Sequence, residues 1–393
     1  MVDKMETSTG KISYKRIFQF TGAIIAFLIG SGFASGQEVL QFLASYGIKG
    51  IIGGVVSMIL FAILCAVLMK FGFNNKHNPK ADGFRYYCGR VIGTFMKWYT
   101  PFFCFLIGIV MISGAGATMN QYFGIPTMAG TIIMSVIVFV TTMFGFKRLV
   151  DIISYLGPLT IIFTILIGFI SIIKHPVNLM HADAIIKATP NLPFGAGNSS
   201  NFWLLAAILY VGYNVVAGVP FMTVLGKDAK FKREAVISGV LAGFFLMAAA
   251  IMLDLAVMGQ FKSIVHVEVP ILYLANEISP ILSAIFTFIL LEEIFSTAAP
   301  MVWTVTYTFI GRDATPRKYR WFIFVLTVIT AVGAQMPFGQ LVGIVYPMTG
   351  YLGIAVLVAI ISREIYDQIK ARRVKTVVPE DTDTDAATGE EVI

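Results

Sequence analysis

Charged residues are scarce in this chain. They make up 13% of its 393 residues, roughly half the share in a typical soluble domain, and the mean hydropathy is +0.81. Three scattered cysteines exclude a disulfide framework and a cysteine-based metal centre. The motifs His-Glu-x-x-His, Gly-x-Ser-x-Gly and Gly-x-x-x-x-Gly-Lys-Ser/Thr are all absent. We therefore expect neither an enzyme nor an ATP-driven pump, and no organic cofactor.

Long apolar runs are abundant instead and predict an all-α integral membrane protein. Hydropathy gives ten candidate transmembrane helices, at residues 17–44, 50–72, 94–119, 127–146, 149–173, 201–226, 234–258, 279–310, 320–336 and 338–363. Residues 262–281 read as an outer loop with a short amphipathic helix that covers a site between the spans.

The basic residues set the expected orientation. If the N-terminus is cytoplasmic, all of them fall in inner segments except Lys49, Lys174, Lys187 and Lys262. This asymmetry predicts that both termini are cytoplasmic. It also explains the net charge of +7 without a nucleic acid partner.

Two apolar spans contain sequence that is poor for a helix. In the first span, residues 30–38 read GSGFASGQE, and in the sixth, residues 210–220 read YVGYNVVAGVP. Polar, glycine-rich backbone at bilayer depth has to be buried in protein or line a watery cavity. Because Pro220 lacks an N–H group, we expect residues 212–218 to be unwound as well. The alternative is that these glycines only permit close helix packing.

Segments about 190 residues apart match and indicate an internal repeat. FKRLVDII at 146–153 corresponds to FGQLVGIV at 338–345, and each is followed by a Pro-x-Thr, at Pro158 and Pro347. The two predicted breaks, at residues 30–38 and 210–220, are separated by a similar number of residues. Since each half has five spans, the halves are inverted relative to each other, which is a common plan of transporters.

With these features the chain resembles the amino acid–polyamine–cation superfamily, whose LeuT-type fold has ten helices in a 5+5 inverted repeat with spans 1 and 6 unwound. The motif at 30–38 resembles a bacterial branch near the branched-chain amino acid:cation symporters. The resemblance implies a multi-pass protein of the bacterial plasma membrane. It divides the chain into a cytoplasmic tail (1–16), a first repeat (17–173), an extracellular loop (174–200), a second repeat (201–367) and a disordered acidic tail (368–393).

The resemblance also implies cation-coupled symport of a small-molecule substrate by alternating access. Free amides of the first break suit a carboxylate, and carbonyls of the second suit an ammonium, which indicates an amino acid or small amine. The predicted substrate-binding residues are Gly30, Ser31, Gly32, Phe33, Ala34, Ser35, Gly36, Gln37, Tyr210, Gly212, Tyr213 and Asn214. Further pocket walls are expected from span three, around residues 107–116.

Glu38 has two interpretations. Ser35 and Glu38 have the spacing of a capping box, in which Ser35 caps a new half-helix and Glu38 returns to its backbone. Direct contact with the substrate is the alternative.

The coupling ion is expected beside the first break. The family pattern, transferred to this chain, places sodium among the Ala26 and Ile29 carbonyls, the Glu293 carbonyl and the Ser296 and Thr297 hydroxyls. Glu292 and Glu293 are unusual there, because each costs about 2.5–3.5 kcal/mol to insert at mid-membrane. They are therefore candidates for proton coupling, unless one of them caps a neighbouring helix or bonds a tyrosine. A receptor that binds the ligand without net transport is the alternative function.

Overall fold

The computed structural model describes residues 12–78, 80–144, 157–176, 179–197, 200–311 and 315–377. These residues are almost entirely helical. The helices are α1 (Tyr14–Leu28), α2 (Ser31–Ser35), α3 (Gln37–Phe42), α4 (Ile48–Asn74), α5 (Gly83–Phe123), α6 (Thr127–Phe144), α7 (Gly157–Lys174), α8 (Leu179–Ala188), α9 (Trp203–Lys227), α10 (Lys232–Gly259), α11 (Phe261–Ile264), α12 (Pro270–Ile278), α13 (Pro280–Ile310), α14 (Pro316–Gly333) and α15 (Phe338–Val377).

The helices fit the predicted spans. Six of them, α4, α5, α9, α10, α13 and α15, are each long and apolar enough to cross a membrane. The other four predicted spans coincide with α1 to α3, α6, α7 and α14. The chain is thus a multi-pass membrane protein. The predicted tail from residue 368 begins too early, because α15 continues to Val377; basic residues near a helix C-terminus, here from Lys370 on, favour the helix.

The first span is broken, as predicted. α1 ends at Leu28, Ile29 and Gly30 are extended, and α2 occupies only Ser31–Ser35. Gly36 then adopts φ +87°, a left-handed conformation that favours glycine, before α3 resumes at Gln37. The helix is therefore interrupted twice within the apolar segment.

The predicted capping box is wrong. A half-helix, α3, does begin near Ser35, at Gln37, and the Ser35 hydroxyl accepts a hydrogen bond of 3.3 Å from the Gln37 N–H group. Ser35 itself is the last residue of α2, and its hydroxyl donates to the Gly32 carbonyl. The Glu38 carboxylate accepts a hydrogen bond from Tyr213 instead of returning to the Ser35 backbone. A long-range partner has replaced the local one that the spacing suggested.

The predicted unwinding of the sixth span is also wrong, because α9 is a single helix with Pro220 inside it. Its glycine serves packing: a Cβ on Gly212 would lie 2.6 Å from the Gly350 carbonyl oxygen of α15. Pro220 removes only one N–H group from the helix. The close-packing interpretation of these glycines is the one that holds in α9.

The helices form two groups. α4 packs against both α9 and α10, and α10 also contacts α1. In the second group α5 packs along α13 and α6, and α14 lies against α6. α15 contacts both α9 and α5 and so joins the groups. The break in the first span lies between them. The repeat segment 146–153 lies outside the described residues, and so do residues 378–393 of the predicted tail.

Candidate substrate cavity

A cavity of about 620 Å³ lies at the break in the first span. Residues of α1, α3, α5, α9, α13 and α15 contribute to its wall, together with Ile29 and Gly30 of the break itself. Its volume is in the range of sites for small organic molecules. Both groups of helices therefore meet at this cavity.

The cavity is open at one end. From Gly30 it follows α1 toward the N-terminus and reaches Phe18 and Gln19, both of which are exposed. This end lies on the side where the sequence predicts the cytoplasm. Phe27 and Phe221 stack there, with ring centroids 3.9 Å apart, and form part of the apolar wall.

The opposite end is closed by hydrogen bonds that we call the outer gate. Gln37 Nε2 donates to the Val267 carbonyl over 2.8 Å, and Gln41 Nε2 donates to the Gly339 carbonyl over 2.7 Å. The Gly339 N–H group donates to Glu268 Oε2, also over 2.7 Å. The gate thus ties α3, the start of α15 and the loop before α12 together.

The loop of residues 262–281 covers the break, as the sequence predicts. It contains the short helix α12, and Pro270 and Ile271 lie directly against Gly36. At its other side Gln121 of α5 makes two hydrogen bonds with the Val269 backbone, of 3.0 and 3.1 Å. The loop is thus held over the break from both sides, by α3 and its turn and by α5.

Glu38 lies at the closed end of the cavity, next to the outer gate. It lines the cavity but is only 3% exposed. Tyr213 donates its hydroxyl to Glu38 Oε2 over 2.6 Å, and the Tyr213 ring stacks on that of Tyr346 with centroids 4.6 Å apart. Gly32 makes room for this carboxylate, since a Cβ there would lie 2.9 Å from Glu38 Cδ.

Three of the predicted substrate residues line the cavity: Gly30, Tyr213 and Asn214. The others have different surroundings. Gln37 belongs to the outer gate. Tyr210 is buried among aromatic rings, and Gly212 packs on α15. The remaining predicted residues, Ser31, Gly32, Phe33, Ala34, Ser35 and Gly36, form or support the short helix α2 and its turn.

All five predicted sodium ligands border the same cavity: Ala26, Ile29, Glu293, Ser296 and Thr297. The Ser296 hydroxyl lies 2.9 Å from the Glu293 carbonyl oxygen, so two of the predicted oxygen ligands are adjacent. Because α1 ends at Leu28, the Ala26 carbonyl is among those without a helical partner. The coordination of an ion there remains a prediction.

The two adjacent glutamates face different surroundings. Glu293 lines the cavity, and its Oε2 accepts a hydrogen bond of 3.1 Å from Thr160 of α7. The partner is a threonine side chain of a neighbouring helix, whereas the alternative named a helix cap or a tyrosine. Glu292 does not line the cavity, and both of its carboxylate oxygens are buried without a hydrogen-bond partner among the described residues.

Several cavity residues were not singled out in the sequence. Tyr346 lies in the last span, next to the repeated Pro-x-Thr, and the hydropathy of this region gives no indication that its ring faces a cavity. Ile107 and Met111 belong to the part of span three where pocket walls were expected. Glu38 was identified, but only its local spacing to Ser35 was available to interpret it.

No family model matches the chain. Among curated proteins, it is similar to the uncharacterized membrane protein YkvI of Bacillus subtilis. The two are 24% identical over 372 residues, which cover 92% of this chain and 98% of YkvI. The uncharacterized protein YyaD of the same organism is 22% identical over 348 residues, which cover 88% of this chain and 96% of YyaD.

Solved structures show the same fold. The inward-facing conformation of Mhp1 matches with a TM-score of 0.54 and 15% identity, over 87% of this chain and 75% of Mhp1. A manganese transporter of Eremococcus coleocola matches with a TM-score of 0.51 and 15% identity, over 88% and 79% of the two chains. The fold is therefore the LeuT-type fold that the sequence predicts.

Proposed function

We propose that this chain is a secondary transporter that moves an amino acid or small amine by alternating access, in symport with a cation. The observation that carries the proposal is the cavity at the break of the first span, which is open at one end and closed at the other. We further propose that the open end is cytoplasmic, in a bacterial plasma membrane with both termini inside. The narrower relation to branched-chain amino acid:cation symporters belongs to the same proposal.

Transport requires that the two ends of the cavity open in turn. The outer gate consists of a few hydrogen bonds between α3, α15 and the loop before α12. Each hydrogen bond of this kind makes a net contribution of about 0.5–1.5 kcal/mol to the stability of the closed gate. A solute and an ion bound at the break can shift such an equilibrium, provided that they bind one conformation better than the other.

Sodium is the coupling ion that we propose, with a proton on Glu293 or Glu292 as the alternative. The support for sodium is that carbonyl and hydroxyl oxygens of α1 and α13 border one cavity. Oxygen ligands of this kind suit a hard cation. Replacing Ser296 and Thr297 together by alanine should abolish sodium-dependent uptake, whereas unchanged activation by sodium would exclude this site. If a proton is coupled through Glu293, Glu293→Gln should remove the pH dependence of uptake.

Uptake into proteoliposomes tests the proposal as a whole. Radiolabelled amino acids and amines are added outside, with a sodium or proton gradient directed inward. Accumulation that collapses with the gradient supports symport. Binding without accumulation under either gradient would contradict transport and favour the receptor alternative.

A further inference from the structure

We propose that Glu38 holds the positively charged group of the substrate, so that the cavity selects an organic cation with an apolar body, an amine rather than a zwitterionic amino acid. This inference rests on the proposed function and narrows its substrate class. It concerns the closed end of the cavity, where Glu38, Tyr213 and Tyr346 meet.

The first argument is the incomplete pairing of the Glu38 carboxylate. It accepts one hydrogen bond, from Tyr213 to Oε2, and no other hydrogen bond to it is found among the described residues. Its side chain is nearly inaccessible but lines the cavity. A buried carboxylate is costly unless it is paired. A cation in the cavity would supply this carboxylate with a second partner.

The second argument is the charge of the cavity wall. Of the described residues that line it, two are acidic, Glu38 and Glu293, and none is Lys, Arg or His. The carboxylate of a zwitterion would find no cationic side chain there, only neutral donors such as the Ser296 and Thr297 hydroxyls and backbone N–H groups near Gly30. Helix α2 behind them spans only Ser31–Ser35, so few peptide dipoles are aligned toward it.

The third argument is the type of surface beside Glu38. Tyr213 and Tyr346 present aromatic rings there, and ammonium groups bind favourably next to such rings. Farther along the cavity the wall is apolar, with Leu28, Ile107 and Met111. A cationic head and an apolar body therefore match opposite parts of one cavity.

A matched series of ligands tests the proposal on the purified protein. Binding is measured calorimetrically for three carbon skeletons, each as an amine, an amino acid and an acid. The series are isoamylamine, leucine and isocaproate; phenethylamine, phenylalanine and hydrocinnamate; and tryptamine, tryptophan and indolepropionate. We expect the amine to bind more tightly than its two counterparts in at least one series. Equal or tighter binding of the amino acids or acids, or no binding of any amine, would overturn the proposal.

Variants locate the site. Glu38→Gln should lower the affinity for the bound amine at least about 30-fold, the loss expected when one partner of a buried charge pair is removed. Glu38→Asp keeps the charge and should bind more tightly than Glu38→Gln. Asp254→Asn is the control, because Asp254 is a fully buried carboxylate that does not line the cavity. An unchanged affinity of Glu38→Gln for the amine would refute the assignment. If Glu38→Gln does not fold, the binding of the ligand series to the wild-type protein decides the question.

The two proposals can fail separately. If amines bind through Glu38 but do not accumulate in proteoliposomes, the site stands and transport does not. If amino acids accumulate and Glu38→Gln transports them normally, transport stands and the cation site does not.

Discussion

The first helices of the two halves contain similar glycine-rich sequences but have different structures. Residues 29–36 interrupt the first span, whereas the corresponding segment of α9 remains helical. In the first span Gly36 has a positive φ, which a helix does not allow. In α9 Gly212 is helical and lets α15 approach closely. Glycine in a transmembrane span can thus mark a break, as at Gly36, or a tight contact between helices, as at Gly212.

The two segments also differ in what their polar side chains do. Asn214 of α9 donates to the Tyr210 carbonyl over 2.9 Å, which is a bond within its own helix. Gln37 and Gln41 of α3 instead bond to the loop before α12 and to α15. Tyr213 of α9 also reaches another element, because its hydroxyl donates to Glu38 of α3. The polar side chains of α3 thus connect the loop before α12, α15 and α9. We infer that the first span carries the moving part of the site.

The largest effect on stability is expected at the α9–α15 contact. Gly212→Ala places a Cβ 2.6 Å from the Gly350 carbonyl oxygen, and backbone cannot move aside as easily as a side chain. Overpacking of this kind costs about 1–3 kcal/mol. Thermal unfolding in detergent should show a clear loss of stability. Gly108→Ala in α5 is the control, since its nearest neighbour lies 3.7 Å away. Similar stability of both variants would contradict the packing role of Gly212.

A somewhat smaller loss is expected at the turn of the first span. Gly36→Ala forces a Cβ into a left-handed conformation, which costs about 1–2 kcal/mol, and brings it 2.9 Å from Ile271. Gly22→Ala in α1 meets no atom within 4 Å and should be neutral or slightly stabilising in the same unfolding experiment. If Gly36→Ala is as stable as Gly22→Ala, the turn at Gly36 is not as described.

The smallest expected effect is at the outer gate. Gln41→Ala removes the bond to the Gly339 carbonyl, which is worth about 0.5–1.5 kcal/mol. The variant should fold normally, but the cavity should open more often toward the outer side. Reaction of a cysteine placed at Gly30 with an impermeant reagent from that side measures this shift. Gln368→Ala is the control, because Gln368 bonds Glu364 of its own helix, near the opposite end of α15 from Gly339. An equal rate of cysteine labelling in both variants would show that Gln41 does not hold the gate closed.

Hydropathy predicted the helices well, because a span of apolar residues has few other options in a membrane. The break at residues 29–36 was also predictable, since three glycines and two serines occur together. The role of Gly212 was not, because it depends on Gly350 of α15, which lies 138 residues away in the sequence. The Glu38–Tyr213 bond was missed for the same reason: Ser35 is the nearer partner in sequence, but Tyr213 is the partner in space.

Access to the cavity is the most direct test of the central claim that the break in the first span forms a site open to one side at a time. Ala26→Cys, in a background without the three native cysteines, is treated with an impermeant thiol reagent in inside-out and right-side-out vesicles. The account predicts rapid labelling in inside-out vesicles and slow labelling in right-side-out vesicles, because Ala26 lines the open part of the cavity. Equal labelling from both sides, or none from either, would contradict it.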